Sequence, residues 1–436
     1  MLFHSTRNPD HRVSLSTALA QGIAPDGGLY VPVDIPRFTA ADFDGLTELA
    51  DIAAKLIAPF AAGDALAPVL AEVCREAFNF PAPLTPINGT AGPVSVLELV
   101  HGPTAAFKDF GARFLAASME RIRAGKPRKL TILVATSGDT GGAVAAAFHG
   151  RPWVDVAVLY PKGLVSQRQA QQLACWGGNI RTFSVHGTFD DCQRMVKEAF
   201  MDASLAQSHE LSSANSINIG RLLPQMVYYV RSALEIWRRT GQPANFIIPS
   251  GNLGNSMACI WARAMGLPIG QVILATNANR TIPDYLDTGE WQPRQSFATL
   301  ASAMDVGNPS NMERLRSLYG FDALRQQVTA VSVSDEQIRA RIAHDAQKLQ
   351  LVWCPHTATA AEVYWHLPQE QLSKQWVLVG TAHPAKFNDI VEPLVDKPVP
   401  VPPALAQLLS LPRQETEIEP TLAALRTQLQ DVANHE

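Results

Sequence analysis

Between Leu130 and Thr276, apolar runs of strand length alternate with helix-like segments, and this alternation constrains the fold more than any other feature of the chain. Leu130-Thr-Ile-Leu-Val-Ala135 is an apolar strand, followed by the loop Thr136-Ser-Gly-Asp-Thr-Gly-Gly142 and a helix from Ala143 to His149. Strand Val154 to Tyr160 precedes helix Ser166 to Trp176, and strand Ile180 to Val185 precedes helix Asp190 to Phe200. A longer helix is expected from about Leu222 to Arg239. Then come strand Phe246 to Ser250, the loop Gly251-Asn-Leu-Gly-Asn255, helix Ser256 to Gly266 and strand Val272 to Thr276. Strands buried on both faces and joined by crossover helices form parallel sheets, so the fold class is α/β.

The flanks organise around this stretch. Residues 1–82 read as a separate, mostly helical N-terminal unit, with an alanine-rich stretch from Leu46 to Phe78 and a turn at Asp26-Gly-Gly ahead of a short extended piece. The segment Phe80-Pro-Ala-Pro-Leu-Thr-Pro86 marks its end. Val94 to Val100 and Trp376 to Gly380 are further strand candidates, and Val331-Ser-Val-Ser-Asp-Glu suggests a strand ending in a helix cap. Prolines at 393, 398, 400, 402 and 403 make residues 393–436 a linker, closed by a helix with Leu422, Leu425 and Leu429 on one face. A smaller domain over 130–214 is expected, inserted into a larger one built from 83–129 and 215–392.

At 436 residues, with 47% apolar and 17% charged, the chain is an ordinary globular protein with a large core. A net charge of -4 without long runs of one sign argues against nucleic-acid or membrane partners and for a small-molecule substrate. The first fifteen residues hold no apolar core segment, so no secretory signal is expected, and a cytoplasmic location follows. Five cysteines without a C-x-x-C pair read as reduced thiols, with no metal site.

Chemistry concentrates at His101-Gly-Pro-Thr-Ala-Ala-Phe-Lys-Asp-Phe110. Lys108 lies between Phe107 and Phe110, where desolvation would disfavour the ammonium and free the amine to form a Schiff base with an aldehyde. A lysine at a solvated helix end, its stem along apolar neighbours, would read the same way. Ser137-Gly-Asp-Thr-Gly141 and Gly251 to Asn255 each lie between a strand end and a helix N-terminus, where free amides gather around an anion, although glycines there can simply tighten the turn. Neither loop has the lysine ending of a nucleotide P-loop or the G-x-G-x-x-G spacing of a dinucleotide site. Arg221 falls near the start of the long expected helix, a position unfavourable to a cation unless it meets an anion or turns to solvent. A Schiff-base lysine and three anion sites suit a pyridoxal phosphate enzyme whose substrate carries a carboxylate and a phosphate.

In order along the chain, the segment 101–110, Ser137-Gly-Asp-Thr-Gly, Asn215-Ser-Ile-Asn218, Pro249-Ser-Gly-Asn-Leu-Gly-Asn255, Ala303-Met-Asp-Val-Gly-Asn-Pro309 and Gly380-Thr-Ala-His-Pro-Ala-Lys-Phe387 resemble the threonine synthase family. Ala20-Gln-Gly with Asp26-Gly-Gly-Leu-Tyr30 resembles its longer class, from enteric bacteria and fungi. The resemblance covers about residues 14–392. It implies the tryptophan-synthase-β-like type II pyridoxal phosphate fold, with Lys108 carrying pyridoxal 5'-phosphate as a Schiff base. Ser250, Gly251, Asn252, Leu253, Gly254 and Asn255 would bind the cofactor phosphate through amides, and Thr381 the pyridine nitrogen. Ser137, Gly138, Asp139 and Thr140 would hold the substrate carboxylate, through backbone amides because Asp139 is itself acidic. Asn215, Ser216 and Arg221 would hold the substrate phosphate. The implied reaction turns O-phospho-L-homoserine and water into L-threonine and phosphate, in a monomer or homodimer. A lyase or deaminase of the same fold would share Lys108 but lack the third anion site at Arg221. A cofactor-free scaffold would have no use for Lys108 and both loops.

Overall fold

The computed structural model of the protein describes residues 1–430. Two parallel sheets organise it. The first has the strand order Thr416–Ile418, Ile180–Val185, Val154–Pro161, Leu130–Ala135, Glu210–Ser213, every neighbouring pair parallel. All six residues of Leu130–Ala135 are buried, which is why the strand reads as an unbroken apolar run. Helices Asp139–Phe148, Gln167–Ala174 and Phe189–Met201 make the crossovers. Two of them start at capping boxes. Ser166 accepts from the amide of Gln169, and Thr188 from that of Asp191, so each helix begins where a side-chain oxygen satisfies an orphan donor.

The second sheet runs Val328–Ser332, Ile269–Thr276, Ala244–Pro249, Trp376–Gly380, Val94–Glu98, Leu84–Pro86, with only the last, at the edge, antiparallel. Trp376–Gly380 sits between Ala244–Pro249 and Val94–Glu98 and is buried throughout. Its C-terminal end delivers Thr381 to the chemistry described below. Leu130–Ala135 and Ala244–Pro249 thus lie in different sheets.

The long helix expected from Leu222 to Arg239 is three pieces: Ile219–Leu222, a 3-10 turn Leu223–Gln225 and Met226–Thr240. Pro224 explains the break, because it cannot donate to the carbonyl four residues back. Arg221 therefore lies in the last turn of a short helix and does not open a long one, so no helix dipole weighs against its charge. The helix expected from Ala143 instead starts at Asp139, which moves Asp139 and Thr140 from loop to first turn.

Residues 1–78 wrap one side of the molecule with helices Leu15–Gln21, Leu49–Ala61 and Leu70–Ala77 and a small antiparallel sheet. Arg314, fully buried, ties this unit in: Nε donates to the Tyr30 carbonyl at 3.0 Å and Nη2 to that of Ile217 at 2.7 Å. The segment after residue 393, read as a linker and helix, also contains helix Pro403–Leu409 and the strand Thr416–Ile418, which completes the first sheet. Helix Leu422–Gln430 then buries Leu425 and Leu429 with Phe183, Val185 and Met195. That strand is too short and polar to show an apolar pattern; only pairing with Ile180–Val185 makes it one. Residues 431–436 of the segment lie outside the described residues. No helix among the described residues is long and apolar enough to cross a membrane.

Candidate active site

Lys108 is the first residue of helix Lys108–Arg123, and the loop before it is stitched to the end of the central strand. The Phe107 amide donates to the Thr381 carbonyl at 2.9 Å, and the His383 amide to the Ala105 carbonyl at 2.9 Å. Within the loop, Asp109 accepts from the Thr104 amide at 2.9 Å and from its hydroxyl at 2.6 Å. Position 102 must be glycine, since a Cβ there would meet the Asp109 carboxylate at 2.4 Å. Lys108 is partly exposed, with Nζ 5.8 Å from the centre of the Phe107 ring. Burial, with help from Arg221 and Lys386 and against the pull of Asp139, pushes its pKa down to about 8. Roughly a tenth of the side chain is then a neutral amine at pH 7, far more than for an ordinary lysine.

The loop 250–255 turns sharply into helix Gly254–Ala264, with Leu253 in the left-handed conformation at φ 64°. Gly251 presses on the segment 303–304, and a Cβ there would lie 2.7 Å from the Met304 Cα. Ser250 departs from expectation. Its amide donates to the Ala275 carbonyl at 2.8 Å and its hydroxyl to that of Ile248 at 2.9 Å, so it ends the strand and has no amide to offer. The first-turn amides from Gly254 onward have no partner within their own helix, which leaves this corner suited to an anion. Asn255 Oδ1 accepts from the hydroxyls of Tyr228 and, at 2.8 Å, Tyr229, while its buried Nδ2 has no partner.

In the loop 136–140 the hydroxyl of Thr136 accepts from the amides of Gly138, at 3.0 Å, and Gly141, at 2.9 Å. The Gly138 amide is therefore spent inside the loop, contrary to expectation; those of Asp139 and Thr140 open the helix. The Asp139 side chain is nearly inaccessible and pairs with Lys386 at 2.8 Å. Burial pushes the Asp139 carboxyl up, but the charges of Lys386 and then Lys108 outweigh it and hold it well below the usual carboxylate range.

Arg221 is 2% exposed and lies against Gly111, one turn beyond Lys108, where a Cβ would come within 3.0 Å of its Nε. Its Nη1 donates to the Ala214 carbonyl at 2.5 Å; its buried Nε has no partner. Burial pushes its pKa down to about 10, so it stays charged. Asn215 Oδ1 is likewise buried and unpartnered, and Ser216 Oγ accepts from Asn252 Nδ2 at 2.7 Å, which brings the 215–221 segment against the 250–255 loop. Thr381 Oγ1, at the end of the central strand, is a buried hydroxyl without a partner.

Two buried groups were not singled out from the sequence. Lys386 lay inside the quoted 380–387 segment without a role. His356, in helix Pro355–Trp365, accepts from the Ala303 amide through Nε2 at 3.0 Å, and burial pushes its pKa down to about 4, so it is neutral. A histidine at a helix start carries no periodic signal that separates it from a core residue.

A family profile described as pyridoxal-phosphate dependent enzyme matches residues 78–381, flanked by profiles for the threonine synthase N terminus at 2–78 and the threonine synthase C-terminal part at 357–429. The last covers residues 393–429 of the segment that the sequence resemblance did not reach. The chain is 37% identical over 430 residues to threonine synthase from Escherichia coli, covering 98% of each. A crystal structure of that enzyme superposes with a TM-score of 0.90 over 100% of both chains. A threonine synthase from Brucella melitensis, solved with pyridoxal phosphate bound, superposes with a TM-score of 0.90 at 33% identity over 99% of both. The catalytic-type lysine, the two helix-start loops and the near-complete overlap lead to one conclusion: the chain belongs to the threonine synthase family of pyridoxal-phosphate-dependent enzymes.

Proposed function

We infer that this protein converts O-phospho-L-homoserine and water to L-threonine and phosphate, the last step of threonine biosynthesis, as a pyridoxal 5'-phosphate-dependent lyase. Similarity to threonine synthases over nearly the whole of both chains carries the reading.

The residues present fit the cofactor. A neutral buried hydroxyl, Thr381 Oγ1, lacks a partner beside the lysine loop and suits the pyridine nitrogen. The corner at Gly251 to Asn255 suits the cofactor phosphate, with Ser250 setting its entry. When bound, the cofactor supplies an electron sink for negative charge at the substrate Cα. Lys108 removes the Cα proton and returns it later. The amides of Asp139 and Thr140, with Ser137 and Gly138 shaping the loop, orient the substrate carboxylate. Asn215, Ser216 and Arg221 hold its phosphate, and the guanidinium Nε neutralises charge gathering on the phosphate as it leaves Cγ. A Cβ proton is lost as phosphate departs from Cγ, Cγ then gains a proton, and water adds its oxygen at Cβ with release of a proton.

We read the first sheet, with residues 130–214 and the added strand 416–418, as the smaller domain, and the second sheet as the larger. The protein acts in the cytoplasm, as a monomer or homodimer. Incubating it with O-phospho-L-homoserine should yield threonine and phosphate in equal amounts. Release of 2-oxobutyrate in place of threonine would overturn the reading.

A further inference from the structure

The loop 137–140 contains an acid, although it is the loop read above as receiving the substrate carboxylate. A lone Asp139 would repel that carboxylate across a low-dielectric cleft. It is not alone. Lys386 Nζ stands 2.8 Å from Asp139 Oδ1 and 2.7 Å from the Thr104 carbonyl, with its side chain 1% exposed. Gln169 Nε2 adds a donor to the same Asp139 oxygen at 3.1 Å, and Gln172 Nε2 reaches the same Thr104 carbonyl at 3.1 Å.

The pair also crosses between the sheets. Asp139 opens the first crossover helix of the first sheet, whereas Lys386 follows the central strand of the second. The backbone around Lys386 is pinned to the first sheet's next helix: Ser166 Oγ donates to the Lys386 carbonyl at 2.9 Å and Arg168 Nη1 to that of Ala385 at 2.5 Å. An ammonium held this rigidly, with one of its three donors still unassigned, is set at the edge of the carboxylate site.

We propose that Lys386 is a positioning and specificity-determining residue, whose ammonium cancels the charge of Asp139 and so makes an acidic loop receptive to a substrate carboxylate. The proposal rests on the reading that residues 137–140 receive that carboxylate. The pair also fixes the field at Lys108, which faces Asp139, Lys386 and Arg221; Asp139 in turn faces Lys386, Lys108 and His356.

The test compares Lys386→Met, Asp139→Asn, the double variant and Lys386→Arg as holoenzymes, with O-phospho-L-homoserine as substrate. Lys386→Met strands a buried anion and should raise KM about ten- to a hundredfold, with a smaller change in kcat. The double variant carries neither charge and should recover at least tenfold of a hundredfold loss, a coupling that only interacting sites show. Lys386→Arg should recover part. Independently of turnover, the pH midpoint of the bound cofactor's absorbance change should rise in Lys386→Met, fall in Asp139→Asn and return toward the parent value in the double variant. Thermal unfolding of each protein identifies any variant that does not fold, and the charge-retaining Lys386→Arg then carries the comparison. A double variant no better than Lys386→Met would overturn the proposal while leaving the carboxylate placement intact. Opposite absorbance shifts with an unmoved KM would overturn it by placing the substrate carboxylate elsewhere.

Discussion

Asn252 Nδ2 donates to Ser216 Oγ at 2.7 Å, and this bond joins the loop assigned to the cofactor phosphate to the segment assigned to the substrate phosphate. Asn252 is held from behind. Its Oδ1 accepts from the Ser310 amide at 2.6 Å and its carbonyl from Asn311 Nδ2 at 3.0 Å, while Asn311 Oδ1 accepts from the buried Arg314 at 2.6 Å. Asn252→Ala should therefore weaken both sites together. Leaving such partners unpaired costs roughly 1–3 kcal/mol, so cofactor affinity and KM for phosphohomoserine should each worsen by about tenfold. Cofactor titration of the apo-protein and steady-state kinetics measure the two; an effect on one alone would separate the loops.

Arg221→Ala should leave the cofactor bound and act mainly on the substrate, apart from a rise in the Lys108 pKa that this cation helps to lower. Its guanidinium is buried with a free Nε, and a phosphate that departs as a dianion gains most from a forked cation. Cofactor occupancy should stay intact while kcat/KM falls by about a hundredfold or more, since losing a charge-assisted contact costs on the order of 2–3 kcal/mol. Arg221→Lys should restore part, keeping the charge without the fork. Bleaching of the protein with normal turnover by the remaining holoenzyme would assign Arg221 to the cofactor.

Thr381→Val should have opposite signs in the two forms. The Thr381 hydroxyl is buried without a protein partner, so exchanging it for a methyl removes an unsatisfied group and should leave the apo-protein as stable or slightly more so. Cofactor binding should weaken by about tenfold, the worth of one hydrogen bond of roughly 1.4 kcal/mol. Thermal unfolding with and without pyridoxal phosphate reads both.

The rate at which apo-protein captures the cofactor should depend on the protonation of Lys108. Burial lowers this pKa to about 8 from an ordinary 10.5, and only the neutral amine attacks an aldehyde. Capture should rise with pH and level off above about 8. The linked sign for stability is the same: between about 8 and 10.5 the unfolded state binds more protons at this site, so the site's contribution to apo-protein stability rises with pH. Stopped-flow absorbance at fixed cofactor concentration across pH checks the first; capture that does not level off until about pH 10 would mean an unshifted lysine.

Legibility followed burial. Leu130–Ala135 and Trp376–Gly380 lie wholly inside sheets, so every residue is apolar or small and the strand announces itself. Glu210–Ser213 and Thr416–Ile418 are polar and short, and pairing alone makes them strands. The candidate site divided the same way. Lys108 and the glycine loops carry local signals, because turns and helix starts need particular residues at adjacent positions. The amide of Gly138 was assigned wrongly because Thr136, two residues away, captures it by a side-chain contact with no pattern. Lys386 was visible as a residue, but its pairing with Asp139 exists only after two sheets have met.

The strand Thr416–Ile418 covers an edge of the first sheet that is laid down long before it. During synthesis the strands up to residue 213 emerge first, yet the flank of Ile180–Val185 stays open until residue 418 has been made. At roughly 5–20 residues per second that interval is on the order of tens of seconds. Throughout it, a row of unpaired backbone groups stands available to any passing strand. The nascent chain is thus open to mispairing along an edge that residues 416–418 later seal.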